Sequence, residues 1–458
     1  MASAAESLAS NLSLSAFSKA TELKSRLLFT VLALIVYRVG TYIPVPGVDP
    51  VMLGDIFRQH AGGILGMFDM FSGGALKRMT VFALGVMPYI TASIIVQLLT
   101  AILPQFEALK KEGQQGQVTL NQYSRYLTVV FAVFQSLGVG FWLENMGGSQ
   151  GSVVTIPSVY FLVMTVATLT CGTVFLMWLG EQITSRGIGN GISLIILSGI
   201  VAQLPSAIAG TLELGRQGAL STGLILAVLL MAVAVIAFIV FMERAQRRLL
   251  IQYPKRQVGN RMFEGQSSHL PLKLNTSGVI PPIFASSLLL LPTTISTFSG
   301  NQTGPIMSTI LAYFGPGQPF YLLFFTVMIV FFTFFYTHNV AFKVEDVASN
   351  LKNQNGFVPG IRPGKKTEEY FTYVMNRILV IGAAYLAFVC LLPEILRHQF
   401  SIPFYFGGTS VLIVVSVAMD TVSQIQSHLL AHQYEGLIER SQLRGKKRTG
   451  QRKAPTRR

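Results

Sequence analysis

Ten long apolar stretches constrain this chain more than any other feature of its sequence. Each is close to, or longer than, the roughly 20 residues that a helix needs to cross a hydrocarbon core of ~30 Å. Lipid offers no hydrogen-bond partners, so such segments form helices in which each backbone group is paired internally. The ten predicted spans are residues 27–43, 76–102, 123–143, 158–180, 188–207, 220–242, 277–297, 319–338, 371–392 and 402–424.

The composition supports the same fold class. Hydrophobic residues make up 51% of the 458 residues, charged residues make up 12%, and the mean hydropathy is +0.53. A soluble chain normally carries about 25% charged residues. The ten-residue segments of alternating hydrophobicity that are typical of a membrane β-barrel do not occur in the sequence. We therefore predict an all-α polytopic membrane protein.

Lysine and arginine counts predict how the spans are oriented, because cytoplasmic loops carry an excess of these residues. With the N-terminus inside, the inner segments hold 28 of them, counting Arg125 at the edge of the third span. The outer loops hold five, counting Lys77 and Arg78 at the edge of the second span. Both termini are therefore predicted to be cytoplasmic.

A nine-residue segment occurs twice, as GVMPYITAS at 85–93 and as GVIPPIFAS at 278–286, with six identical positions. The copies lie in the second and the seventh span. Ten spans divide into five and five, and an odd number of spans inverts the second half relative to the first, as in inverted-repeat transporters. Pro88 and Pro281 each remove a helix hydrogen bond, so a kink is expected at the corresponding point of both spans.

The expected organisation of the chain follows from these spans and loops. It comprises a cytoplasmic N-terminal segment, two five-helix halves, two large cytoplasmic loops in the second half, and a basic cytoplasmic tail. The N-terminal segment is 1–26, and the two halves are 27–207 and 208–424. The two large loops are 243–276 and 339–370, and the tail is 425–458.

One apolar segment between the first two spans is too short to cross a bilayer. It reads GGILGMFDMFSGG over residues 62–74, with a glycine pair at each end and Asp69 inside it. Such a run predicts a re-entrant or interfacial piece that can hinge at its glycines. An ordinary buried outer loop explains the pattern equally well.

Two other function classes were weighed against the residues. A secondary transporter would use an inverted repeat, but it usually places ionisable residues near the membrane midplane. Here Glu144, Glu181, Glu394 and Asp420 lie at or near span ends. An intramembrane protease is disfavoured because the sequence has no HExxH motif. We find no nucleotide-binding glycine loop either, so no cofactor, metal site or catalytic residue is predicted.

Seven sequence blocks, in order along almost the whole chain, resemble the SecY family, the central subunit of the bacterial protein-translocation channel. They are YIPVPGV (42–48), MFSGGAL (70–76), FALGVMPYITASIIVQLL (82–99), FLMWLGEQITSRGIGNGIS (175–193), RQVGNRM with GQSSHLPLKLNTSGVIPPIFASS (256–287), GFVPGIRPG (356–364) and PFYFGGTSVLIVVSVAMD (403–420). The resemblance implies ten helices in two inverted halves around a central hourglass pore. Unfolded secretory polypeptides would cross this pore, and hydrophobic segments would leave sideways through a lateral gate.

The resemblance also assigns roles to particular residues. The second and seventh spans would form the two sides of the lateral gate, and the amides of Gln97 and Asn275 could hydrogen-bond across the closed seam. The prolines Pro88 and Pro281 would shape the same two helices. An apolar ring at the pore waist would consist of Val86, Ile90, Ile196, Ile283 and Ile413. A plug over 62–72 would include Gly62, Ile64, Leu65, Met67, Phe68 and Phe71.

The same resemblance implies that the channel is not an enzyme and that partners supply its energy. The SecA ATPase and the ribosome, through RNA and protein at its tunnel exit, would dock on the cytoplasmic arginines and lysines. SecE and SecG would complete the channel in the bacterial inner membrane, with anionic lipids and accessory insertase and SecDF-type factors as further partners. The docking residues are Arg244, Arg247, Arg248, Lys255, Arg256, Arg261 and Arg362.

Overall fold

The computed structural model describes residues 21–49, 52–54, 69, 71–145, 153–217, 221–254, 256–258, 261–263, 267–298, 318–400 and 408–450. It is mostly helical. The helices are α1 (Thr21–Gly40), α2 (Met87–Ile102), α3 (Pro104–Lys111), α4 (Gln114–Asn145), α5 (Ser158–Arg186), α6 (Gly191–Arg216), α7 (Thr222–Arg244), α8 (Ile280–Phe298), α9 (Pro319–Tyr336), α10 (Val344–Asn353), α11 (Lys365–Phe400) and α12 (Gly408–Gly450). A π-helical turn over Thr337–Ala341 follows α9.

Each predicted span coincides with one of the longer helices, namely α1, α2, α4 to α9, α11 and α12. In the described ranges, seven helical segments are long and apolar enough to cross a membrane. They begin at Gln114, Ser158, Gly191, Ile225, Pro319, Lys365 and Gly408. An eighth is added if α2 and α3 are one bent span. The last helix also continues to Gly450, into the predicted basic tail.

The bend between α2 and α3 has a local cause. Leu103 lies between the two helices with an extended backbone, at φ −97° and ψ 122°. It precedes Pro104, and the proline ring disfavours helical geometry in the residue before it. The axes of α2 and α3 consequently differ in direction by 97°.

The second span begins later than its hydropathy predicts. The predicted span starts at 76, but helix α2 begins at Met87, and turns occupy most of the chain before it. Gly73, Gly74 and Gly85 have φ of +69°, +83° and +57°. A left-handed backbone at these glycines is incompatible with a continuous right-handed helix, so the apolar residues around them form a buried turn.

The predicted proline kinks are wrong. Pro88 and Pro281 are each the second residue of their helix, where the backbone N–H has no partner within the helix in any case. The two copies begin alike in other respects as well: Gly85 and Gly278, two residues before each helix, have φ of +57° and +63°. The repeated segment is therefore a repeated helix start.

The segment after α1 is fixed by backbone hydrogen bonds to later parts of the chain. The Val45 N–H donates to the Met79 carbonyl over 2.8 Å, and the Val81 N–H donates to the Ile43 carbonyl over 3.0 Å. Around them lies a buried apolar cluster of Val45, Leu53, Leu76, Met79, Ala83, Leu84, Leu143, Val153, Phe161 and Leu169. Val45 of the YIPVPGV block is thus part of a core, and Val48 packs against it.

The expectation of an all-α chain needs one addition, in the loop between α7 and α8. Strands β1 (Gln246–Gln252) and β4 (Ser267–Lys273) pair antiparallel, and β2 (Arg256–Val258) pairs with β3 (Arg261–Phe263). In β1, Leu249 and Ile251 are buried while their neighbours are exposed. This alternation with a period of two is typical of a strand with one face packed on a core. The hydropathy pattern predicts the spans but not the strands in this loop.

The contacts divide the chain into two compact units. One contains residues 1–39, 178–195 and 417–458, and the other contains residues 40–177 and 196–416. Each unit collects segments that pack together, even where they are distant in sequence. The predicted five-helix halves are defined by sequence position and stay a prediction.

In the first unit, side chains satisfy the turn between α5 and α6. The Ile188 N–H donates to Thr30 Oγ1 over 3.1 Å, and the Gly189 N–H donates to Gln424 Oε1 over 2.9 Å. Buried backbone groups need such partners when helix geometry does not supply them. This turn is therefore held by α1 and α12.

We expect Gly85→Ala and Gly278→Ala to destabilise the protein by about 1–2 kcal/mol each, because an L-residue in the left-handed region costs that much. A Cβ at Gly278 would meet nothing within 4 Å, and one at Gly85 would make ordinary contact with Ser72, so the cost lies in the backbone. Gly210→Ala is the matched control, since it lies inside α6 with open space around it. Thermal unfolding in detergent measures the effect, and equal stability of all three variants would contradict this account.

Candidate functional site

The helices that begin in the two copies of the repeated segment meet in space. Helices α2 and α8 contact each other, and α8 also packs against α4 and α9. Phe284 of α8 is buried, and its ring lies edge-on to Phe332 and Tyr336, with centroids 5.5 Å and 6.2 Å apart. The contact between α2 and α8 is called the seam below. It joins the second and seventh predicted spans.

The side-chain amides of Gln97 and Asn275, which were assigned to the seam, each donate hydrogen bonds to groups other than the opposite amide. Gln97 Nε2 donates to Ser93 Oγ over 3.4 Å. Asn275 Nδ2 donates to Glu243 Oε1 over 2.6 Å and to the Gly278 carbonyl over 3.2 Å. The expected hydrogen bond across the seam is therefore absent between these two described side chains, because Asn275 has a stronger acceptor in the Glu243 carboxylate.

All five residues assigned to the apolar ring are buried, with exposed fractions from 1% to 9%. Ile90 and Ile283 are the fourth residues of α2 and α8, and they hold equivalent positions in the two copies. Their N–H groups donate to the carbonyls of Val86 and Val279, over 3.0 Å and 3.4 Å. Ile196 lies in α6 and Ile413 in α12. Burial alone also suits ordinary helix packing, so the ring stays a prediction.

Most of the assigned plug, including Gly62, Ile64, Leu65, Met67 and Phe68, lies outside the described residues. Its C-terminal end is described, and there Phe71 and Ser72 are buried.

This end is held by several hydrogen bonds to Asp69. The Asp69 carbonyl accepts bonds from the Gly74 N–H, Ser72 Oγ and Gln203 Nε2, at 2.9 Å, 3.1 Å and 2.8 Å. The Asp69 carboxylate accepts from the Lys77 N–H over 2.8 Å. The glycine pair at 73–74 therefore turns the chain inside an anchored network and does not leave this end loose.

Burial raises the pKa of the Asp69 carboxyl above its ordinary value. The hydrogen bond from the Lys77 backbone and the charges of Lys77 and Arg78 oppose that rise without cancelling it. Burial wins because removing a carboxylate from water penalises the charged form.

The two large loops assigned to docking pack together. The β1–β4 hairpin covers a buried cluster that joins it to α10, to α11 and to the loop before α11. Gln252, at the end of β1, exchanges two backbone hydrogen bonds of 2.9 Å with Phe357. Arg244, Arg247 and Arg248 are exposed at this hairpin. Arg256 and Arg261 belong to the paired strands β2 and β3, and Lys255 lies outside the described residues.

Arg362 is presented by a rigid loop. Val358 is buried in the same cluster, the Thr367 hydroxyl donates to the Arg362 carbonyl over 3.0 Å, and Gly360 and Gly364 have φ of +81° and +107°. The Arg362 side chain is exposed. The buried Val358 and the Thr367 hydrogen bond hold the loop that carries this arginine.

Sequence reasoning missed three residues that fix this site: Glu243, Gln203 and Thr367. Only Glu243 gave a usable signal. It lies in the last turn of α7, where a carboxylate opposes the helix dipole, so its position there called for a specific partner. Gln203 and Thr367 are ordinary polar residues. The partner of Gln203 is far from it in sequence, and the partner of Thr367 is reached through a turn. As for metals, no cluster of three His, Cys, Asp or Glu side chains occurs in the described residues.

Known proteins show the same organisation over nearly the full chain. The family model of SecY matches residues 80–422. The protein translocase subunit SecY of Rickettsia typhi is 51% identical over 430 residues, covering 93% of this chain and 99% of the relative. That of Escherichia coli K12 is 52% identical over 425 residues, covering 93% and 96%.

Two solved structures share the fold. One is a protein-conducting channel, with a TM-score of 0.62 and 17% identity. The other is a SecY protein whose plug domain stabilises the closed state of its channel, with a TM-score of 0.60 and 19% identity. Each comparison covers 89% of this chain and 92% of the other. With a family model that matches most of its length and relatives at about half identity, this chain belongs to the SecY family.

Proposed function

We propose that this chain is the pore subunit of a protein-conducting channel that passes unfolded polypeptides and releases hydrophobic segments sideways between α2 and α8. One observation carries the proposal: α2 and α8, the helices that begin in the two copies of the repeated segment, contact each other. The SecY relatives are translocase subunits, and a structural neighbour is a protein-conducting channel. A transporter of small solutes, the alternative that the inverted repeat left open, receives no support from either comparison.

The chemistry of the seam suits a gate that opens. Buried isoleucines and alanines of α2 and α8 make dispersion contacts, which are not directional and can be separated. Two polar atoms near them, Gln97 Oε1 and Ser287 Oγ, are buried without a hydrogen-bond partner among the described residues. Each such atom costs about 1–3 kcal/mol, and opening the seam to water or to a peptide backbone would recover part of that cost.

The five buried aliphatic residues Val86, Ile90, Ile196, Ile283 and Ile413 are proposed as the seal of the pore. Apolar side chains around a narrow waist exclude ions, because an ion that enters loses its hydration without gaining polar partners. They also lack hydrogen-bonding groups, so a passing polypeptide of any sequence is treated alike. Ile90 and Ile283 hold equivalent positions of the two copies, near the starts of α2 and α8. The segment at 62–72 would add a plug above it.

The docking surface is proposed to be the β1–β4 hairpin together with the loop that presents Arg362. Their shared apolar cluster makes them one platform, and the exposed arginines give it a positive face. Arginine pairs bidentately with carboxylates and phosphates, which suits both an acidic surface of the SecA ATPase and ribosomal RNA. Energy for transport comes from these partners, SecE and SecG complete the channel, and anionic lipids would meet the same basic surface.

The channel is proposed to lie in the bacterial inner membrane with both termini in the cytoplasm. Support comes from the 28 lysines and arginines of the inner segments against five of the outer ones, and from the bacterial sources of the relatives.

The gate is tested with cysteine pairs, one along 86–97 and one along 279–289, in a chain whose Cys171 and Cys390 are replaced by serine. We expect some pairs to form disulfides on oxidation and to stop import of a secretory precursor into vesicles, with import restored on reduction. Each single-cysteine variant is the matched control and should import normally under the same oxidation, because it cannot form the disulfide. Normal import by every crosslinked pair would remove the gate from this seam.

The seal is tested by planar-bilayer conductance without a substrate. A chain that lacks 62–68 should leak transiently, and adding Ile90→Ser and Ile283→Ser should make it conduct persistently, because hydroxyl groups lower the desolvation penalty at the waist. The matched control adds Ile94→Ser and Ile200→Ser, two buried isoleucines outside the ring. A silent membrane with the ring variant, or equal conductance with the control, would contradict the assignment.

Docking at Arg362 is tested by charge reversal. Arg362→Glu should reduce SecA-dependent import several-fold at an unchanged protein level, and Arg362→Lys should restore only part of it, because lysine lacks the planar fork. Arg216→Glu serves as the control, since Arg216 is exposed and predicted to lie on the outer side. If Arg362→Glu imports as the parent does, the residue is not part of the docking surface.

A further inference from the structure

The end of α7 and the start of α8 are adjacent although some 30 residues separate them in sequence. The β1–β4 ladder begins with Gln246 opposite Lys273, and below it the Leu274 N–H donates to the Ala245 carbonyl over 3.0 Å. The next residue, Asn275, bonds through its side chain to Glu243, which lies two residues before Ala245. A side-chain hydrogen bond thus follows directly on the last backbone one.

The Asn275 side chain is almost completely buried, at 4% exposure, and all of its polar atoms are used. Its Nδ2 donates to Glu243 Oε1 over 2.6 Å and to the Gly278 carbonyl over 3.2 Å. Its Oδ1 accepts from Ser277 Oγ over 3.1 Å. The bond to Glu243 is the short one of the set, as expected when the acceptor is a carboxylate.

These bonds define the turn that begins α8. Gly278 lies at φ +63°, its carbonyl is held by Asn275, and the helix starts two residues later. The equivalent glycine of the other copy, Gly85, instead lies against Ser72, with the site of its missing Cβ 3.5 Å from the Ser72 Cα. The two helix starts therefore share a geometry but are held by different contacts, and the carboxylate bond belongs to α8.

The position of Glu243 does not stabilise its own helix. It lies in the last turn of α7, where the carbonyl ends of the helix disfavour a negative charge. The amide of Asn275 compensates by donating to the carboxylate. The Glu243 carboxylate is thus unfavourable at the end of α7, but it accepts a hydrogen bond from the turn that begins α8. We therefore expect its effect at the start of α8.

We propose that Glu243 is a positioning residue of the channel: through Asn275 it fixes the start of α8 and thereby holds α8 against α2. The proposal rests on the proposed role of α8 as one side of the gate. Weakening the bond leaves the α8 start less constrained, so the closed seam loses stability relative to the open one. A precursor with a shortened hydrophobic signal, which separates the seam poorly, should then be imported more readily.

The test compares import of that shortened-signal precursor with import of the full-length one into vesicles. We expect Glu243→Ala and Asn275→Asp to raise the ratio at least threefold at an unchanged protein level. Glu243→Gln, which keeps the shape and a neutral acceptor, should raise it less. Glu213→Ala is the matched control, a carboxylate near the end of α6 that is exposed and paired with Arg216, and it should leave the ratio unchanged.

Coupling is measured with the double variant of Glu243→Ala and Asn275→Ala, whose effect should be about that of Asn275→Ala alone, because that change already removes the bond to Glu243. Independent, multiplying effects, or a parental ratio in Glu243→Ala, would overturn the proposal. If Glu243→Ala fails to accumulate, Glu243→Gln decides by the same ratio. A parent whose α2–α8 crosslinks do not stop import would instead show that the gate is elsewhere.

Discussion

The need to pair every backbone hydrogen-bonding group inside lipid shapes the rest of this molecule. It permits long helices and confines irregular backbone to places where other groups of the protein can serve as partners. The turn between α5 and α6 takes its partners from Thr30 and Gln424. The turns before α2 and α8 take theirs from neighbouring residues around glycines with positive φ. The functional features of the chain are found at these interruptions, where geometry is set by specific side chains.

The seam between α2 and α8 combines two properties that a gate needs. The buried residues of α2 and α8 are mostly apolar, and packing between apolar side chains is not directional. Buried polar atoms on Gln97 and Ser287, which have no hydrogen-bond partner among the described residues, lower the stability of the closed arrangement. A seam of this kind is closed by packing and is only modestly favoured, which is consistent with sideways release of hydrophobic segments as they compete for the same apolar contacts.

The charged loops are ordered by apolar residues rather than by their charges. Leu249, Ile251, Val358 and Phe371 are buried together beneath the hairpin and the Arg362 loop. Exposed arginines near a membrane would otherwise repel one another and remain mobile. The apolar cluster fixes them on one platform, whose base is continuous with the start of α8. The surface proposed to meet partners and the helix proposed to form the gate thus share one structural element.

The sequence by itself determined the helical membrane class, the approximate places of the long apolar helices and the repeated segment, because hydropathy acts locally. It did not determine that α2 begins at Met87, that the prolines start helices instead of kinking them, or that a hairpin forms in the loop after α7. Those outcomes depend on contacts between residues that are distant in sequence. Glu243 and Asn275 are 32 positions apart, and Asp69 and Gln203 are 134 positions apart. Only the tertiary structure brings such groups within hydrogen-bond distance, and the directional bonds they then form decide where each helix starts.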